Sequence, residues 1–201
     1  TLPERAPLAS TINQDAGANL WRKVAYMVMR RPDLKMVLER LNAKRARAGI
    51  AEELGRAFPE SQLRAEVRHV EHHLAHLASA HLASPFESSV TVSVDGFGDF
   101  ASAAWGVGRG SQIEVEDRVY FPHSLGIFYM ALTQYLGFLA YGDEYKVMGL
   151  APYGEPRYLD QMRSIVLLQG DGTYRLNLDY FRHHREKIEY EWDLGEPKFA
   201  S

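Results

Sequence analysis

Ser89-Val90-Thr91-Val92-Ser93-Val94-Asp95-Gly96-Phe97-Gly98-Asp99 alternates polar and apolar residues up to the first aspartate, then sets two glycines between two carboxylates. Alternation with period two marks a strand with one buried face, here expected to be Val90, Val92 and Val94. Gly96 and Gly98 are expected to make the tight turn that follows. Ala101 to Val107 returns as a second strand, Gly108-Arg109-Gly110 turns again, and Ile113, Val115 and Val119 outline a third. Three antiparallel strands joined by glycine turns form a meander. Ser124 then opens a helix expected to reach about Phe138, with Leu125, Phe128, Leu132, Tyr135 and Leu136 on one side. The expected class is α/β, a mixed sheet with flanking helices.

Working upstream, five of the eight histidines fall between His69 and His81, in His69-Val-Glu-His72-His73-Leu-Ala-His76-Leu-Ala-Ser-Ala-His81. His72 and His76 are four apart, so on a helix their imidazoles share one face about 6 Å apart, a gap that one divalent ion can bridge. Leu74, Leu77 and Ala78 give that helix a separate apolar side, so the pair need not fill a core. Asp95 closes a strand that should point back toward the start of the helix, which makes it the candidate third ligand. The alternative is that the two imidazoles pack against neighbours and hold no metal. His73 and His81 lie off the ligand row and read as packing or supporting residues. His69 ends the alternating stretch Leu63, Ala65, Val67, His69, a strand running into the helix, and is not assigned as a ligand.

A carboxylate at a strand end followed by Gly-x-Gly can hold a metal while the glycines let backbone N–H groups approach phosphate oxygens. Gly96, Gly98 and Asp99 are the candidates for that role, and Ser102 is a further candidate to contact an anion. The same residues are equally those of a simple hairpin turn. Two carboxylates flanking the turn repel bare phosphate and suit a metal placed between them and it. Lys146, in Gly142-Asp-Glu-Tyr-Lys146-Val-Met-Gly-Leu-Ala-Pro-Tyr-Gly154, is read either as a phosphate contact or as a structural partner of Glu144. That segment fits neither a helix nor a strand pattern.

The 201 residues suffice for one large or two small domains, and 46% hydrophobic against 24% charged residues is the balance of a globular protein. A net charge of -3 gives no reason to expect nucleic acid or an anionic membrane as partner. With no cysteine, thiolate ligands, thiol nucleophiles and disulfides are excluded, and any metal has nitrogen and oxygen ligands. No apolar run approaches the roughly 18 residues of a membrane span, and no signal peptide is legible, so a cytoplasmic location is expected. Residues 1–60 form a distinct region: an extended lead-in to Asn19, then a basic amphipathic helical insert from Trp21 to about Ala57, broken at Pro32. Residues 61–201 form the domain that carries the candidate site.

Three segments in order, His72-His-Leu-Ala-His76, Val94-Asp-Gly-Phe-Gly-Asp99 and Glu144-Tyr-Lys-Val-Met-Gly-Leu-Ala-Pro-Tyr-Gly154, resemble the carbamoyltransferases of nodulation-factor and antibiotic biosynthesis, the NodU/CmcH family. The resemblance extends through Gly172-Thr-Tyr-Arg-Leu-Asn-Leu-Asp-Tyr-Phe-Arg-His-His184, covering about Val67 to His184. It implies a domain similar to the tRNA threonylcarbamoyl-transferase, with the duplicated ribonuclease-H-like fold of actin and the sugar kinases (ASKHA), of which this chain would be the first half. It implies an enzyme that makes carbamoyl adenylate from carbamoyl phosphate and ATP with magnesium in a separate C-terminal domain. The carbamoyl group then passes to a hydroxyl of a sugar, Nod-factor or antibiotic-like acceptor. The family's iron-type site falls on His72, His76 and Asp95, with manganese or zinc as alternatives to iron.

The resemblance also implies parts outside this chain: a hairpin ahead of Thr1 and, after Ser201, the second half of the fold with a fourth metal-ligand aspartate and the adenylate-forming domain. The chain alone is therefore expected to be inactive. Two other readings stand beside this one. An actin-like kinase or ATPase would use Asp95 and Asp99 to position magnesium, and a non-catalytic interaction domain would keep its histidines packed and neutral.

Overall fold

The computed structural model describes residues 9–15, 17–30, 56–59 and 66–185. Strand β1 (Ala9–Ile12) pairs in parallel with β2 (Glu66–His69), and helix α1 (Leu20–Arg30) follows β1 in the chain. Helix α2 (His72–Leu82) starts directly after β2. Strands β3 (Ser88–Gly98), β4 (Ala101–Arg109) and β5 (Gln112–Tyr120) form the antiparallel meander, in that order across the sheet. Helix α3 (Leu125–Tyr135) is followed by α4 (Glu144–Leu150), which runs into a 3-10 turn at Ala151–Tyr153. Helix α5 (Leu159–Ile165) leads into β6 (Val166–Leu168), paired antiparallel with β7 (Tyr174–Leu176). The chain is thus α/β, but among the described residues the parallel and antiparallel pairings lie in separate sheets rather than in the one mixed sheet expected.

Four expectations are corrected. The alternation in β3 is real, but Val90, Val92 and Val94 are 77%, 63% and 55% exposed while Thr91 and Ser93 are 5% and 7%. The hydroxyl face is the covered one because α2 meets it with imidazoles: His73 Nδ1 lies 2.9 Å from Ser93 Oγ and His81 Nδ1 2.7 Å from Ser89 Oγ. A polar face is buried without penalty when its groups find partners. Second, β3 continues through Gly96 and Gly98, with a register shift between Val94 and Gly98, and the turn is made by Asp99 and Phe100. Both have positive φ, 50° and 74°, the backbone of a two-residue hairpin loop. Asp tolerates this region, and the strain at Phe100 is offset by ring contacts with Tyr26 and Phe121 at 5.8 and 5.4 Å.

Third, α3 stops at Tyr135 and buries Ile127, Ala131 and Gln134, leaving Tyr135 and Leu136 exposed. The helix is rotated so that Ile127 and Ala131 join Ile165, Leu176 and Phe181 in the core. Fourth, Glu144–Leu150 is helical after all. The order of the meander strands, Ser124 as helix cap, and the turn and strand after Gly170 stand as read, while the second turn falls on Gly110 and Ser111, with Gly108 and Arg109 still paired in β4. In the amphipathic insert, α1 is present; Pro32 and residues 31–55 lie outside the described residues, as do the division near residue 60 and the last residues of the chain. No helix among the described residues is long and apolar enough to cross a membrane.

Candidate metal centre

The site is built where the start of α2 meets the end of β3. Glu71 caps α2, its carboxylate accepting from the backbone N–H groups of His73 and Leu74 and pairing with Arg118 at 3.1 Å. Burial works against the Glu71 charge, but the two N–H groups and the guanidinium outweigh it and hold its pKa below the ordinary 4.5. On the inner side of the helix Leu77 is fully buried and His73 and His81 face the sheet, so the helical repeat turns His72 and His76 toward the end of β3. On the strand side, Ser124 donates to the Asp95 carbonyl at 3.0 Å while capping α3. A Cβ on Gly126 would come within 2.8 Å of the Asp95 and Gly96 backbone, so a glycine there lets the helix seat directly on this peptide.

His72 Nε2 lies 2.7 Å from Asp95 Oδ2, His76 Nε2 lies 3.1 Å from His72 Nε2, and His76 Nε2 lies 3.6 Å from Asp95 Oδ2. Ligands about 2.0–2.2 Å from one ion stand about 3 Å from each other, so these spacings match those around a single cation. The chemistry of the donors agrees. His72 Nδ1 is 3.2 Å from the carbonyl oxygen of Asn13, which can only accept, so Nδ1 donates there and Nε2 is the nitrogen turned to Asp95 and His76. Two imidazole nitrogens and a carboxylate oxygen then converge on one point. An imidazolium proton can serve one pair of them; a cation serves all three. Burial raises the Asp95 carboxyl, but the His72 hydrogen bond, the Gly96 N–H and the neighbouring imidazoles prevail and keep it below the ordinary 3.8. His72 is mostly buried, whereas His76 and Asp95 are each close to half exposed, so the centre opens to solvent on their side.

Gly98 and Asp99 both act on His72. A Cβ on Gly98 would fall inside the His72 ring. Asp99 Oδ2 accepts from the backbone N–H groups of His72 at 3.0 Å and of Asp15 at 2.7 Å, tying the segment after β1 to the first turn of α2. Gly96 donates its N–H to Asp95 Oδ1, and nothing lies within 4 Å of where its Cβ would stand. Ser102 is buried under the sheet with its hydroxyl donated to the His123 carbonyl, and is no anion contact. Lys146 sits apart, pairing with Asp143 rather than Glu144 at 2.6 Å; that hydrogen bond raises its pKa. His69 Nδ1 is at 3.0 Å from the Gln14 carbonyl, away from the ligand row. The sequence reading missed Asn13, Glu71 and Arg118. Only Glu71 left a local sign, an acid immediately ahead of the histidine helix.

These observations define an α/β domain presenting a His–His–Asp constellation suited to one divalent cation. The chain matches the carbamoyltransferase N-terminus family over residues 17–191, and it belongs to that family. It is similar to the nodulation protein NolNO of Sinorhizobium fredii, 42% identical over 143 residues that make up 69% of this chain and 20% of that protein. The nodulation protein NolO of Bradyrhizobium diazoefficiens is 46% identical over 111 residues, 54% of this chain and 20% of its own length. An uncharacterized protein of Synechocystis sp. is 46% identical over 114 residues, 56% of this chain and 18% of its own length. The chain therefore spans about a fifth of the length of these relatives.

Proposed function

We propose that this chain is the metal-bearing part of an O-carbamoyltransferase, built on the first half of an actin-like fold. In the proposed reaction an acceptor hydroxyl of a sugar, Nod factor or antibiotic attacks the carbamoyl carbon of carbamoyl adenylate, itself made from carbamoyl phosphate and ATP. A new C–O bond forms, the bond from the carbamoyl carbon to the phosphate oxygen breaks, the hydroxyl proton leaves and AMP departs. The observation that carries this reading is the convergence of His72, His76 and Asp95, whose ligand atoms all lie within 4.8 Å of one another, in a member of the carbamoyltransferase N-terminus family.

A divalent ion there, iron by resemblance or else manganese or zinc, supplies Lewis-acid polarisation of the carbamoyl oxygen and of the leaving phosphate. The chain's own residues set the geometry. The Asn13 carbonyl fixes the His72 tautomer, Asp99 anchors the His72 backbone, and Gly98 leaves room for the ring. Gly96, with an open side where a Cβ would be, is assigned to the approach of the phosphate, with Gly98 and Asp99 shaping that edge. Lys146, partly exposed, is the cation assigned to meet the phosphate in exchange for Asp143.

The test is metal analysis of the full-length protein together with transfer of carbamoyl from carbamoyl phosphate and ATP onto a panel of glycosides. About one metal per chain and transfer, both lost in a His72→Ala/His76→Ala double variant, is the expected result. Transfer undiminished in the variant overturns the role of the cluster, and absence of both metal and transfer in the parent overturns the whole reading.

A further inference from the structure

Away from His72 and His76, α1, the outer end of β5 and the β6–β7 hairpin enclose a cleft of about 580 Å³. That is the size of a small-molecule site. None of His72, His76 or Asp95 lines it. The Arg22 guanidinium is stacked 3.8 Å from the centre of the Tyr120 ring and 4.4 Å from that of Trp21. A guanidinium held by its face keeps its N–H edge for oxygen ligands. Among the described residues neither Arg22 nor Arg175, also on the wall, has a carboxylate within ion-pair distance. Arg118, also on the wall, is committed through a terminal nitrogen to Glu71, and its Nε is buried out of reach of the cleft.

The acidic residues on the wall are different in kind. Asp117 Oδ1 accepts the Arg118 N–H, and Asp171 Oδ1 accepts both the N–H and the hydroxyl of Thr173. Each carboxylate keeps its other oxygen for a hydroxyl donor. Two guanidiniums, the further aromatic side chains Tyr26, Phe100 and Tyr174, and two carboxylate acceptors therefore share one concavity. We propose that this cleft binds a hydroxylated ring carrying a phosphate, either a sugar phosphate or a nucleoside monophosphate. The phosphate sits between Arg22 and Arg175 as charge-assisted hydrogen bonds require, the ring lies against the aromatic wall, and its hydroxyls donate to Asp117 and Asp171.

Titration calorimetry of the full-length protein with glucose 6-phosphate and, separately, AMP tests this, with glucose as the neutral control. Saturable binding of either phosphate is expected, weakened at least tenfold in Arg22→Gln and in Arg175→Gln, and retained in His72→Ala, which separates this cleft from the metal centre. Should Arg22→Gln fail to fold by circular dichroism, Arg175→Gln, at an exposed position of β7, carries the test. Which compound binds identifies the source of the phosphate. Binding of neither phosphate, binding of glucose as tightly as glucose 6-phosphate, or loss in His72→Ala with both arginine variants unaffected overturns the proposal.

Discussion

The imidazole of His72 occupies the space where a side chain at position 98 would begin, so Gly98 and His72 are mutually exclusive with any larger pair. Gly98→Ala must push the ring aside, because the methyl meets ring atoms from a strand that is itself paired to Ala101. We expect Gly98→Ala to weaken metal binding by at least tenfold while the circular dichroism spectrum keeps its shape. A metal titration of wild type and variant checks this, and equal affinities would remove the steric argument.

Asp99 holds two backbone N–H groups on one oxygen, those of His72 and Asp15. Asp99→Ala leaves both donors without their partner and is expected to cost about 1–3 kcal/mol in denaturant unfolding. Asp99→Asn keeps an accepting oxygen and is expected to lose less than half of that. A purely charge-based role for Asp99 would make the two variants equal.

A cation held at the proposed site should stabilise the protein, and its removal should reverse that. At a free metal concentration about 100 times Kd, binding adds about 2.7 kcal/mol. Thermal melts with and without added manganese or iron are expected to differ in Tm for the wild type. The difference should vanish in Asp95→Asn, whose amide is a far poorer ligand beside His72 and His76.

Acid should loosen the domain in two stages. Burial, the main cause, lowers the His73 pKa from the ordinary 6.5. A group depressed in the folded state contributes stability above its unfolded value and loses it as pH falls, so His73 costs stability below about pH 6.5. Glu71, lowered from 4.5, has its stabilising effect intact above that value and loses it as pH falls through the folded pKa. Urea unfolding at a series of pH values is expected to show both declines. Glu71→Gln should remove the second and cost about 1–2 kcal/mol at neutral pH through the helix cap.

The proximity of His72, His76 and Asp95 was legible because it follows from local geometry: an i, i+4 pair on a helix and an acid at a strand end need little tertiary information. The orientation of β3 was not. Val90, Val92 and Val94 alternate with Thr91 and Ser93 in strict period two, and periodicity fixes that two faces differ without saying which is covered. The choice came from His73 and His81, whose need for hydroxyl partners appears only once α2 is laid across the strand. The turn at Asp99 and Phe100 was hidden by the adjacent glycines, of which Gly98 serves close approach to His72 instead and Gly96 faces open space. The cleft beside Arg22 joins residues from α1, β5 and β7, a juxtaposition with no trace in local pattern.

The two imidazole–hydroxyl contacts between α2 and β3 act as a pair of dowels. An apolar interface tolerates a helix that rolls or slides by a fraction of a turn, since area is nearly conserved. His73 on Ser93 and His81 on Ser89 do not, because each contact has a direction as well as a distance. The azimuth at which His72 and His76 face Asp95 is thereby inherited from two serines further back on the strand that carries Asp95, and replacing those serines with well-packing apolar residues would keep the layer intact while surrendering its angle.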